Sequence, residues 1–239
     1  MIIDMHSHIL PGIDDGARTV EESLQLLDSF VENGTDIVVA TPHFYCKDQS
    51  INSFIEKRNA AYEKLKPHLK AEHPQIILGA EVLYSPILAG NEDISKLTIQ
   101  GTDFILFEMP YQKLTADMIN NVSKIANSMD VKLLIAHIER YLHFTSFSEL
   151  SELMDLDVLG QINIKSLMKS SSKRACFKLI KKGYVHALGS DYHRIDKPVP
   201  HVVDAFEILD KKFGNGYTNH LIKNEVHILK NDSLEYFYR

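Results

Sequence analysis

Short apolar runs that close on a polar residue recur along the chain. Ile2-Ile3 leads into Asp4, and residues 36–43, 76–81, 103–108, 132–137, 157–163 and 185–191 follow. Each run is β-branched or leucine-rich, the character of strands buried on both faces. The polar endpoints are His6, His43, Glu81, Glu108, His137, Asn163 and Asp191, spaced 26 to 38 residues apart. A strand, a crossover helix and two loops need about 30 residues. Amphipathic stretches fill the gaps. Thr19 and Glu22 are spaced as a capping box, ahead of Val20, Leu24, Leu27 and Val31 on one helical face and Gly34 beyond its end. Further helices are predicted over about 52–69, 115–129 and 172–182, from a second capping box at Ser146 and Glu149, and from Pro200 to near Gly214. The tail from Tyr217 shows no clear pattern. Seven strands alternating with helices predict a parallel α/β fold, with its site at the carboxyl ends of the strands. A closed or nearly closed barrel brings seven such ends to one mouth. A doubly wound sheet leaves its edge strands too far out. No linker or low-complexity tract divides the chain, so residues 1–239 are expected to form a single domain.

Composition narrows the class. Of 239 residues, 44% are hydrophobic and 24% charged, as in ordinary globular proteins. No apolar run approaches the roughly 18–20 residues of a membrane span, and the N-terminus lacks the pattern of a secretory signal. Two cysteines, Cys46 and Cys176, make no disulfide framework. A cytoplasmic location is expected. The net charge of -6 argues against a nucleic-acid partner, and so against a nuclease.

The candidate chemistry lies at the predicted strand ends. His6 and His8 stand at i and i+2, on the same side of an extended strand. Taken alone, such a pair is as readily an accident of a polar strand face as a metal site. Asp14-Asp15-Gly16 alone reads as a solvated turn. His43 alone reads as a loop histidine packed under a strand end. Glu81 and Glu108 close buried runs, so each needs a partner, either a basic side chain or a cation. His137 ends another run, and Asp191 with His193 repeats the i, i+2 spacing. Taken together, five imidazoles (His6, His8, His43, His137, His193) and four carboxylates (Asp15, Glu81, Glu108, Asp191) point to a divalent-metal cluster. Without metal, the carboxylates repel or protonate. Donors without thiolate fit Mn, Fe or Zn. Arg140 overhangs the same mouth, where a guanidinium either holds phosphate oxygens bidentately or pairs with a nearby acid. Arg18, Arg194 and Lys197 are further candidates on loops there.

The motifs DMHSHILPGIDDGARTVEES, VATPHF, LGAEV, IAHIERY and GSDYHR, in this order, resemble the PHP (polymerase and histidinol phosphatase) superfamily. More narrowly, HILPGIDDGA with AHIERY resembles the bacterial manganese-dependent protein-tyrosine phosphatases of capsule and exopolysaccharide loci. The resemblance covers about residues 1–200. It implies a distorted seven-stranded, TIM-like (β/α)7 barrel and a site for three Mn2+ ions, with Fe or Zn as alternatives. One metal would take His6, His8, Glu81 and Asp191. A second would share Glu81 and add Glu108 and His137. A third would take Asp15, His43 and His193. Asp15, beside Gly16, matches the ligand position rather than Asp14. Arg140 matches an arginine that the family uses on phosphate. A second family arginine is missing, since proline stands where it would align; Arg194 and Lys197 are the candidate substitutes.

The implied reaction is hydrolysis of a phosphotyrosine protein, the tail of a bacterial tyrosine kinase that regulates polysaccharide synthesis, by a metal-bridging hydroxide. His43 or His193 would protonate the leaving group. The alternatives are a small-molecule phosphatase, such as histidinol phosphatase, and a non-catalytic metal-binding module. Retention of all nine ligands counts against the module.

Overall fold

Thr41-Pro42 and Gly79-Ala80 decide how the strands are laid out. In the computed structural model, which describes residues 1–128, 130–194, 196 and 201–237, the predicted strand at 36–43 splits into β2 (Ile37–Ala40) and β3 (His43–Phe44). Pro42 has no N–H to continue the ladder. The next predicted strand splits into β4 (Gln75–Leu78) and β5 (Glu81–Leu83). The others are β1 (Ile3–Ser7), β6 (Phe104–Glu108), β7 (Lys132–Ile135), β8 (Val158–Asn163) and β9 (Ala187–Gly189). All pairings are parallel, in the orders β1-β2-β4 and β3-β5-β6-β7-β8-β9. The parallel α/β architecture is as expected. The strand count is not, because the described residues form nine segments in two sheets. The breaks stay hydrogen-bonded: Thr41 N donates to Ser7 O (2.8 Å), and Glu81 N donates to Pro42 O (3.0 Å). At the other edge of β1, Asp191 N donates to His6 O (2.8 Å) and His8 N to Tyr192 O (2.9 Å).

Among the described residues, eight α-helices connect and cover the strands: α1 (Val20–Glu32), α2 (Ile51–Leu65), α3 (Ala116–Ser128), α4 (Phe147–Met154), α5 (Ile164–Met168), α6 (Ser170–Lys181), α7 (Val202–Phe213) and α8 (Tyr217–Leu229). Thr19 caps α1 by accepting from Glu22 N, while the Glu22 carboxylate takes the N–H of Arg18 instead of closing the box on Thr19. The box at Ser146 and Glu149 is complete. The sequence pattern misses α5 and α8. In α8 the buried face mixes Leu221 and Ile228 with Asn224 and Glu225, which erases the apolar stripe. Ile228 and Phe237 join Ile3, Met5, Phe104 and Leu134 in one apolar cluster. No helix among the described residues is long and apolar enough to cross a membrane.

Candidate metal centre

Close backbone packing and left-handed turns set the ligands. A Cβ on Gly16 would lie 2.2 Å from His8 O, and one on Gly189 would lie 2.5 Å from His6 Cβ. Only glycine lets these segments approach the two histidines so closely. His137 (φ 33°) and Asp191 (φ 53°) are non-glycine residues in the left-handed region, and both are strand-end candidates. Such conformations persist where surrounding structure enforces them, often at functional sites.

All nine proposed ligands come together. His6 Nε2 and His8 Nε2 are 3.1 Å apart, as the i, i+2 spacing predicts. Glu81 is central: its Oε2 lies 2.9 Å from His43 Nδ1, 3.2 Å from His6 Nε2 and 3.4 Å from His8 Nε2. His137 Nε2 is 2.9 Å from Glu81 Oε1 and 3.5 Å from Glu108 Oε1. Asp15 Oδ1 is 3.5 Å from His43 Nε2 and 3.4 Å from His193 Nε2. Asp191 Oδ1 is 3.6 Å from both His6 and His8 and 3.4 Å from His193 Nδ1. Among the described residues, three subsets are compact enough to hold an ion: His8, Asp15, His43 and His193; His6, His8 and Glu81; and His43, Glu81 and Glu108. They overlap the expected groupings, but His8 joins the Asp15 set, and His43 stands beside Glu81 and Glu108 in place of His137.

The donor set fits metal. Glu81 Oε2 is buried and makes no aligned hydrogen bond, despite the three nitrogens around it. Buried polar atoms are normally paired, so donors clustered without alignment suit a shared cation. Burial and the neighbouring Glu81 charge push Glu108 up to about 7. Burial works against the Glu81 carboxylate, but the His6 charge and the His137 hydrogen bond hold it well below the usual range. Asp191, opposed likewise by burial, is held low by His6 and Arg140. Burial pushes His137 down, and burial with the His8 charge does the same to His193.

Of the basic candidates, Arg140 lines the cavity above the cluster, a space of about 720 Å³. Its Nη2 pairs with Asp191 Oδ2, and Nη1 donates to Tyr111 OH (2.9 Å). Of the two readings of this arginine, the structure shows the pairing with an acid, and the guanidinium also faces the cavity. Arg194 lines the same cavity and pairs with Asp196 at 3.2 Å. Arg18 is exposed and is not among the cavity walls. Lys197 lies outside the described residues.

The structure adds residues that the strand-end pattern passes over and gives the endpoint Asn163 a partner at the site. Asp14 is not a solvated turn residue: its Oδ2 sits 2.8 Å from His8 Nδ1 and accepts from His43 N (3.1 Å). It orients one candidate ligand and anchors another, the arrangement of carboxylates beside metal-binding histidines. The His8 interaction, against the cost of burial, lowers its pKa to about 2. Gln161 accepts from His137 N (2.8 Å) and donates to Asn163 Oδ1 (2.9 Å), and Asn163 donates to Asp191 Oδ2 (2.9 Å). Lys165 and Lys169 also line the cavity. Their only sequence signal is their position just after the polar end of β8.

The family model described as "Capsular polysaccharide synthesis, CpsB/CapC" matches residues 2–230. The chain belongs to the CpsB/CapC family. It is 30% identical to the Streptococcus agalactiae serotype III protein named tyrosine-protein phosphatase CpsB, over 96% of this chain and 99% of that one. It is 28% identical to the Bacillus subtilis protein named tyrosine-protein phosphatase YwqE, over 98% and 93%. In fold, this CpsB/CapC member is similar to a crystal structure from work on YwqE from Bacillus subtilis and CpsB from Streptococcus pneumoniae, described as unique metal-dependent tyrosine phosphatases. That match has a TM-score of 0.81 at 24% identity, over 97% of this chain and 96% of that one.

Proposed function

We propose that this protein is a metal-dependent phosphomonoesterase that removes phosphate from tyrosine in a protein substrate. One observation carries the reading: nine imidazole and carboxylate ligands converge beneath Arg140 in a cavity open to solvent. The names of its family relatives support the choice of phosphotyrosine. The proposed metals are three Mn2+ ions, divided among His6, His8, Asp15, His43, Glu81, Glu108, His137, Asp191 and His193. Seven staves, with β2–β3 and β4–β5 each counted as one broken strand, make the proposed barrel that holds them. When bound, the cations supply charge neutralisation and a nucleophilic water at neutral pH.

The protein's own residues do the rest. Arg140, held by Asp191 and Tyr111, binds the non-bridging oxygens and meets the charge that develops on them. His43 and His193 also line the cavity, and either one, if a ring nitrogen is not engaged by metal, would hand a proton to the leaving oxygen. A phenolate leaves readily and needs that proton least. The proposed substrate is the tail of a bacterial tyrosine kinase that regulates capsule or exopolysaccharide synthesis, met in the cytoplasm.

The test compares phosphate release from a phosphotyrosine peptide and from histidinol phosphate, using Mn-loaded protein and a chelated control. Metal-dependent release from the peptide, well above that from histidinol phosphate, is expected. Preference for histidinol phosphate, or release that chelation does not touch, overturns the reading.

A further inference from the structure

Six large hydrophobic side chains are exposed among the described residues, and two of them meet at the rim of the cavity. Tyr111 and Phe144, 45% and 46% exposed, stack with ring centroids 5.7 Å apart and planes 29° apart. Tyr111 is also flanked by Tyr141 at 6.3 Å and His137 at 5.9 Å. Its ring lines the cavity, and its hydroxyl accepts from Arg140 Nη1 at 2.9 Å. An aromatic ring held by three others, yet left open to solvent beside an arginine, is preorganised to receive another ring.

We propose that Tyr111, backed by Phe144, is the surface on which the substrate's phenyl ring stacks, and that this contact makes the site prefer aryl to alkyl phosphomonoesters. The inference rests on the phosphatase reading above. Arg140 ties the two parts together: the guanidinium that takes phosphate oxygens is hydrogen-bonded to the wall itself. In an aryl phosphate a single bridging oxygen separates phosphorus from the ring. A ring in that position lies next to whatever flanks the phosphate, and here that is Tyr111. An alkyl ester offers only methylene groups there.

The experiment measures kcat/KM for phenyl phosphate and for glycerol 2-phosphate on the Mn-loaded enzyme. Calorimetry of phenylphosphonate against methylphosphonate gives a readout without turnover. Y111A is expected to lower the aryl-to-alkyl ratio about three- to tenfold, the size of one lost ring stacking. Y111F keeps the ring, so it should retain that ratio while lowering both substrates through the loosened Arg140. F144A should fall between wild type and Y111A. An unmoved ratio in Y111A overturns the proposal, and so does Y111F losing the ratio as fully as Y111A. If wild type hydrolyses phenyl phosphate but the ratio never moves, only the wall fails. If it hydrolyses neither ester with metal bound, the phosphatase reading falls and the wall with it.

Discussion

On the side of the strands covered by α8, Glu225 and His186 are buried near groups of like charge; at the carboxyl ends acids and bases are buried together. Glu225 is wholly buried and accepts from Leu188 N (2.8 Å), and burial raises its pKa well above the ordinary range. His186 accepts from Gly160 N through Nδ1 (3.1 Å), and burial lowers its pKa to about 4. Each of these groups meets the cost of burial by giving up its charge. At the opposite end Glu81 is buried as deeply and Asp191 is partly buried, and both keep theirs, because imidazoles and Arg140 surround them. A buried charge therefore marks function here only where opposite charges accompany it. Asp4 lies between the two regimes: burial raises it to about 6, against hydrogen bonds from Ser190 and His6.

This contrast breaks most severely at Glu81. E81Q removes the carboxylate that His6, His8, His43 and His137 share, and kcat/KM should fall on the order of a thousandfold, as several kcal/mol of metal-supplied stabilisation is lost. Metal analysis of the purified variant should show substoichiometric loading. Wild-type activity in E81Q would mean that the cluster is not the reactive centre.

Next comes Arg140, which neutralises Asp191 and faces the cavity. R140A should lower kcat/KM about a hundredfold, the effect of removing one preorganised charge-stabilising donor. Metal content should hold, since Arg140 is not a ligand. Loss of metal along with activity would show that its main role is to fix Asp191.

Asp14 tests the supporting layer. D14N keeps the shape but weakens the interaction with His8 Nδ1, and metal affinity should drop about 10- to 100-fold. A competitive chelator titration reads this directly. Unchanged affinity would return Asp14 to the status of a loop residue.

The smallest effect belongs to Glu225. The folded-state pKa of Glu225 is raised above its ordinary 4.5, so the fold favours the protonated form. That contribution is fully present below the ordinary pKa and is lost as pH rises through the raised one. E225Q should match wild type within about 1 kcal/mol near pH 5, because its amide oxygen can still accept from Leu188 N. It should then gain on wild type as pH increases. Urea midpoints at pH 5, 7 and 9 give the comparison, and a difference that stays constant across them would show that Glu225 remains charged in the fold.

Strand-end position is a local property, and for that reason the α/β architecture and the convergence of His6, His8, His43, Glu81, Glu108, His137, Asp191 and His193 were legible in the amino-acid order. An apolar run followed by a polar residue is written in consecutive letters, and parallel strands bring such ends together whatever lies between them. Choosing Asp15 over Asp14 took the family resemblance, because adjacent residues of one turn share every local signal. Only the folded chain shows Asp14 turned inward onto His8 and Asp15 left at the rim. The breaks at Pro42 and Gly79 were likewise invisible as breaks, since an apolar pattern does not record where the ladder loses a donor or bends. The partners of Arg140, and the burial of Glu225 within a helix of mixed pattern, depend on contacts between residues far apart in the chain. Those contacts exist only once packing has set which side chains face one another.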